Sequence, residues 1–170
     1  MDFNRSPERS GSECVKVRFE LRPDEDGYPP YTSEGLWAAP LGGSLFRLDN
    51  VPFFVYGVSC FDVISAEQDA QGVLWFRGLL EPGGHSTLRV VFHDTAADSR
   101  PLLDRARELR STLRGLGCSI EFSDSPRLIA VDVPPEVPIM RIRMILGPGE
   151  EDDLWGYEEA TLAHADPRPA

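Results

Sequence analysis

Lysine is almost missing from this chain: Lys16 stands alone against sixteen arginines. A Schiff-base mechanism would have to use Lys16, and that residue falls inside a strand-like stretch, which argues against such chemistry. Cysteine is scarce too. Cys14, Cys60 and Cys118 are odd in number and widely spaced, with no C-x-x-C pair. Neither a zinc ligand set nor a redox dithiol is supported, and the three read as free thiols in a reducing compartment. No apolar run reaches the roughly 18 residues of a membrane-spanning helix. Residues 1–12 (MDFNRSPERSGS) hold no hydrophobic stretch of the secretory kind. These absences lead us to expect a cytoplasmic protein with no membrane segment, no metal and no cofactor.

What is present in excess is acid. The 170 residues carry 28 Asp and Glu against 17 Lys and Arg, a formal net charge of −11. Phosphate neutralisation needs clustered cations, so this balance discourages nucleic-acid binding. It favours solubility, or a basic protein partner steered in by long-range attraction.

Read along the chain, residues 1–12 are polar and turn-rich and are expected to be disordered. Val15, Val17, Phe19 and Leu21 then alternate with polar residues, the period of a half-buried strand. Further strands are expected at Gly35–Pro40, Ser44–Asp49, Asp62–Glu67 and Val73–Leu80, with Gly42 and Gly43 as a hairpin turn. The apolar run 50–57 (NVPFFVYG) has neither period and reads as a buried connection. Its Phe53, Phe54 and Tyr56, with Trp37 and Trp75, are assigned to core rather than to a ligand cage. Five short strands at this spacing predict a small five-stranded antiparallel barrel over 13–81.

Glu81-Pro82-Gly83-Gly84 is the strongest punctuation in the chain and marks the expected boundary. Beyond it Leu88, Val90 and Phe92 share one strand face. Leu102, Ala106, Leu109, Leu113 and Leu116 form a helical stripe. Strands at 119–122 and 128–133 follow. A second helix is then expected to open at Pro134-Pro135 and to end at Gly147-Pro148-Gly149, before a strand around Trp155 and Tyr157. The order β-α-β-β-α-β predicts a ferredoxin-like domain over 84–160, so the fold class is α+β. Residues 161–170 are expected to be a disordered tail.

Several strings resemble a bacterial family, the domain-of-unknown-function 4265 family. They are VKVRFEL (15–21), DGYPP (26–30), RLDNVPFF (47–54), YGVS (56–59), DVISAE (62–67), GHSTLRV (84–90) and LGCSI (116–120). The resemblance runs from about residue 13 to 160. It implies an architecture and no reaction. Members of that family often carry glycine where this chain has Phe61, and the phenylalanine is taken to argue against a strained turn there.

The reactive side chains offer few constellations. Gly57-Val58-Ser59-Cys60-Phe61 falls short of a nucleophile elbow, because Phe61 replaces the final glycine and a strand follows. His85 lies at the domain joint beside Ser86 and Thr87, where it could serve as base or hydrogen-bond donor. His85 and His93 would lie about 26 Å apart on one extended strand, too far to share an ion. Arg107, Arg110 and Arg114 recur at helical spacing as a basic stripe, a candidate contact for RNA or an acidic protein. The leading expectation is a non-enzymatic binding protein, immunity- or antitoxin-like or regulatory, with a basic partner. The alternative is a small-ligand receptor or enzyme at the domain joint, using His85, Ser86, Thr87, Asp62 and Ser59. An RNA-associated regulator using the arginine stripe is a third.

Overall fold

A computed structural model describes residues 13–95, 100–123 and 127–164. The expected disorder at 1–12 and over 165–170 lies outside those residues. The chain divides into two units between Gly83 and Gly84.

The first unit is a closed five-stranded barrel. Its strands are β1 (Val15–Glu20), β2 (Ser33–Gly42), β3 (Leu45–Leu48), β4 (Val63–Gln68) and β5 (Leu74–Glu81). Consecutive strands pair antiparallel, and β1 closes on β5 in parallel. The expected all-antiparallel barrel is therefore corrected to a mixed one. The reason is parity. Strands of an up-and-down meander alternate in direction, so the first and fifth point the same way and can only close in parallel. Val17, Phe19, Leu36, Ala38, Leu48, Phe53 and Ile64 fill the interior. Such side chains gain roughly 1.5–3 kcal/mol each on full burial.

The turn before β4 also departs from expectation. Phe61 adopts φ 67°, the left-handed region that costs a non-glycine residue roughly 1–2 kcal/mol. Its surroundings hold it there. Phe61 N–H donates to the Leu48 carbonyl at 2.9 Å, and Asp62 N–H to the Ser59 carbonyl at 3.3 Å. The buried Asp62 carboxylate accepts from Ser59 N–H at 2.8 Å and Gly83 N–H at 2.6 Å. Gly83 passes so close that a Cβ there would meet the Phe61 carbonyl carbon at 2.6 Å.

The second unit holds β6 (Ser86–Phe92), α1 (Leu102–Gly115), β7 (Ser119–Phe122), β8 (Leu128–Val133), α2 (Ile139–Glu151) and β9 (Trp155–Thr161). Its sheet runs β7-β8-β6-β9 with every neighbouring pair antiparallel. Leu109 and Leu113 of α1, and Ile142 and Leu146 of α2, pack on Leu88, Val90, Ile129 and Val131. The apolar stripe of α1 falls where periodicity put it.

Helix α2 does not open at Pro134 or stop at Gly147. It begins after Pro138 and continues through Pro148 to Glu151. A proline three residues from a helix end removes one ladder bond without breaking the helix. The chain beyond is tied back: Asp152 N–H donates to the Pro148 carbonyl at 3.0 Å and Leu154 N–H to that of Gly149 at 2.8 Å. Gly149 is needed because Trp155 lies on it, its indole N–H bonded to the Leu146 carbonyl at 3.0 Å. A Cβ on Gly149 would sit 2.0 Å from the Trp155 ring.

Two helical glycines should therefore answer alanine in opposite ways. Gly149→Ala overpacks the Trp155 contact and is expected to lower stability by about 1–3 kcal/mol. Gly115→Ala, at the end of α1, meets nothing within 4 Å and should be neutral, or gain up to about 1 kcal/mol from helix propensity. Urea unfolding followed by tryptophan fluorescence compares them, and equal effects would show that the indole does not pack on Gly149.

Candidate functional site

The residues singled out by sequence fall into separate structural roles. Ser59 is fully buried, and its backbone lies in the Asp62 turn. Asp62 is buried and bonds backbone N–H groups. These two belong to the first unit, whereas His85, Ser86 and Thr87 belong to the second.

His85 Nδ1 lies 2.7 Å from Oδ1 of Asp132, a buried carboxylate on β8. Thr87 is fully buried and sits opposite Asp132 in the β6–β8 register. Ser86 Oγ is 2.6 Å from His164 Nδ1 and accepts from the N–H groups of Ala163 and His164 at 2.9 and 3.3 Å. The far ring nitrogen of His164 lies 3.0 Å from the Pro134 carbonyl. With Nδ1 accepting and Nε2–H donating, one tautomer satisfies this set. A hydroxyl has one donor and two acceptor positions, so Ser86 is saturated by holding Ala163 and His164. Residues 161–164 accordingly belong to the second unit and not to a loose tail: β9 includes Thr161, and Ser86 ties down Ala163 and His164.

Cys118 follows the same pattern. Burial, and then the Asp132 charge, push its thiol up to about 12, so at neutral pH it is protonated and a poor nucleophile. The arginines of α1 have unlike surroundings. Arg107 pairs with Asp104 at 3.5 Å, Arg110 lies over the Phe122 ring at 5.4 Å, and Arg114 is exposed in the last turn. Arg105 is buried and donates to the His93 carbonyl at 2.9 Å. Among the described residues, no three His, Cys, Asp or Glu side chains converge as a metal site.

Sequence reading missed Glu34. The strand was placed from Gly35, which left Glu34 outside it. The strand begins at Ser33, so Glu34 takes an inward position in phase with Leu36 and Ala38. Its carboxylate accepts from Phe53, Phe54 and Val55 N–H at 2.7, 2.9 and 2.9 Å. A glutamate in phase with buried strand positions was the available signal.

That contact shapes an open cleft of about 480 Å³ in the barrel. The β1–β5 ladder holds two register pairs, Val17 with Leu74 and Arg18 with Trp75. Phe19 and Glu20 at the end of β1, Leu21 and Arg22 after it, and residues 75–77 of β5 line the cleft, with Pro29 and residues 54–56. Phe19 and Phe76 stack with ring centroids 4.6 Å apart. Tyr28 and Tyr31 pack on Phe54 at 6.0 and 5.4 Å. The Trp75 indole N–H donates to Asp69 Oδ2 at 2.8 Å. Asp69 is held below the usual carboxylate range, first by the Val73 N–H and then by that indole. The assignment of the whole aromatic set to core is corrected: Phe53 and Phe54 are buried, Trp37 and Trp75 are half-buried, and Tyr56 is 61% exposed. Tyr56 lies where the connection leaves the interior after Val55, ahead of the left-handed Gly57.

These features define a class: an α+β protein of two units with a ligand-sized aromatic cleft in its barrel. The chain belongs to the family described as "Domain of unknown function (DUF4265)", which matches residues 34–157. It is similar to a solved structure described as "Novel crystal structure of a hypothetical protein from Neisseria gonorrhoeae". The TM-score is 0.72 at 19% identity, covering 92% of this chain and 100% of that one, which shows the fold alone. No curated protein matches the chain.

Two measurements probe these contacts. Glu34→Ala removes an acceptor shared by three N–H groups and should cost at least about 3 kcal/mol, at roughly 1–3 kcal/mol for each buried donor left without a bond. Denaturant unfolding reads this, and a loss under about 1 kcal/mol would mean that solvent or neighbouring groups replace the carboxylate. Native protein should expose Cys14, which is half-buried, to a thiol reagent, while Cys60 and Cys118 react only on unfolding. The Cys118 contribution to stability is constant below pH 9, where both states keep the proton, given the ordinary value of 9.0. It is lost as pH rises from there towards about 12, because the unfolded chain releases the proton first. Cys118→Ala should flatten that alkaline decline.

Proposed function

We propose that this chain is a non-enzymatic binding protein of the bacterial cytoplasm, whose barrel cleft receives part of a basic partner protein. The observation that carries the reading is the cleft itself, an open aromatic concavity of about 480 Å³. Three of the groups that invited a catalytic reading support it from the other side. Ser86 is saturated, and Ser59 and Asp62 are committed to a buried turn. The net charge of −11 would draw in a basic partner. Stoichiometric capture, as by an immunity or antitoxin protein, is one concrete form, by analogy only.

The second unit is read as ferredoxin-like. Its strand order β7-β8-β6-β9, with helices after its first and third strands, supports that. Its helices would then act as scaffold, since their apolar faces are spent on the sheet.

Purification of the tagged chain from its host at low and high salt tests the reading. Wild-type protein should recover one basic protein in near-stoichiometric amount at low salt, with recovery falling at high salt. Tyr56→Ala, at an exposed position that leaves the core intact, should lose it. Equal recovery by the variant, or no partner under either condition, would overturn the proposal.

A further inference from the structure

We infer that the segment taken by this cleft is an extended, proline-containing peptide with arginine or lysine beside the proline; the inference rests on the binding reading above. The first argument is the shape of the opening. The cleft begins where the parallel ladder stops after Arg18 and Trp75, so two strands flank it and it is open to solvent. Small-molecule sites enclose most of their ligand. A cleft flanked by strands and open along one side suits a chain passing over it.

The second argument is the lining. Phe54, Tyr56, Trp75 and Phe76 surround the cleft together with Pro29. Tyr28 and Tyr31 extend the aromatic surface through their contacts with Phe54. The Trp75 N–H is already given to Asp69, so its ring is what remains for a ligand. Proline rings pack flat on aromatic faces. A polyproline helix is also pre-formed and free of internal hydrogen bonds, so it loses little entropy on docking.

The third argument is charge. The turn leading into Tyr28 carries Asp24, Glu25 and Asp26, all exposed. The Asp24 carboxylate accepts from the N–H groups of Asp26 and Tyr28 at 3.0 and 2.9 Å, fixing the acidic turn beside the aromatic surface. Glu20 lies on the cleft wall. Of the two arginines there, Arg77 is paired with Glu67 at 3.0 Å, and Arg22 is the one cation in a stretch, 20–26, that carries the four carboxylates of Glu20, Asp24, Glu25 and Asp26. A cationic residue next to the proline meets this arrangement, and a phosphate chain is repelled by it.

The test uses the full chain and a synthetic peptide in which prolines recur every third residue with arginines between them. Binding is followed by tryptophan fluorescence and by amide chemical-shift mapping. Saturable shifts should centre on residues 20–31, 54–56 and 75–77. Affinity should fall at high salt and drop at least about tenfold with Tyr56→Ala. The double variant Glu25→Gln, Asp26→Asn should weaken binding and flatten its salt dependence. The inference is overturned if an alanine-for-proline peptide binds equally well, if only an oligonucleotide shifts these residues, or if the peptide leaves them unmoved. It is also overturned if the peptide binds only after removal of residues 1–12. In that case the chain's own segment, with Arg5, Pro7 and Arg9, is the occupant. Should the peptide fail while Tyr56→Ala still loses the partner from host extract, the ligand class is wrong and the binding reading stands. Should both fail, both fall.

Discussion

A single buried carboxylate sets the form of the first unit. Glu34 accepts from three consecutive backbone N–H groups of a run that is neither helix nor strand. Buried backbone amides need partners, and a run without secondary structure must find them elsewhere. Convergent N–H donors also make burial of the carboxyl oxygens tolerable, because they replace the water these give up. With the run anchored, Phe53 enters the core, Phe54 sits at the core edge and Tyr56 is left to solvent. Asp62 repeats the device on a smaller scale. Its two oxygens hold Ser59 and Gly83, and the strained Phe61 persists between them.

The cleft is a consequence of how the barrel closes. Five strands in a meander must join first to last in parallel, and here that ladder holds two register pairs. The open stretch beyond is lined by the residues that continue both strands, and the anchored connection supplies the remaining wall. The constraint that orders the connection and the parity that shapes the closure thus meet at one place. The binding reading is attached to that place.

The second unit shows how a reactive-looking group can be structural. A serine 2.6 Å from a histidine nitrogen suggests a nucleophile until its other contacts are counted. Ser86 already accepts two backbone N–H bonds, and its work is to hold the residues after β9. His85 is held by Asp132, and the same carboxylate helps to keep Cys118 protonated. Membership of the family and the likeness to the Neisseria gonorrhoeae protein speak to architecture. They leave the chemistry to be argued from such contacts.

Local patterns in the chain place most of the elements and their punctuation. Alternation placed β1, a stripe of period 3.6 placed α1, and the run Glu81 to Gly84 contains the point where the chain divides. These features are legible because hydrophobic period and turn chemistry act between near neighbours in the chain. The C-terminal end of helix α2 is not legible locally: Pro148 and Gly149 look like a stop, yet the helix runs on because Trp155 lies on Gly149 and bonds the Leu146 carbonyl. Phe61 seemed to forbid a left-handed turn until its backbone partners were found. The cleft was hidden for the same reason. Its lining comes from positions 19–22, 29, 54–56 and 75–77, and no local pattern relates Phe19 to Tyr56 or Trp75. Only tertiary structure decides which aromatic residues fill a core and which line an opening, because burial depends on what the remote chain places opposite each ring.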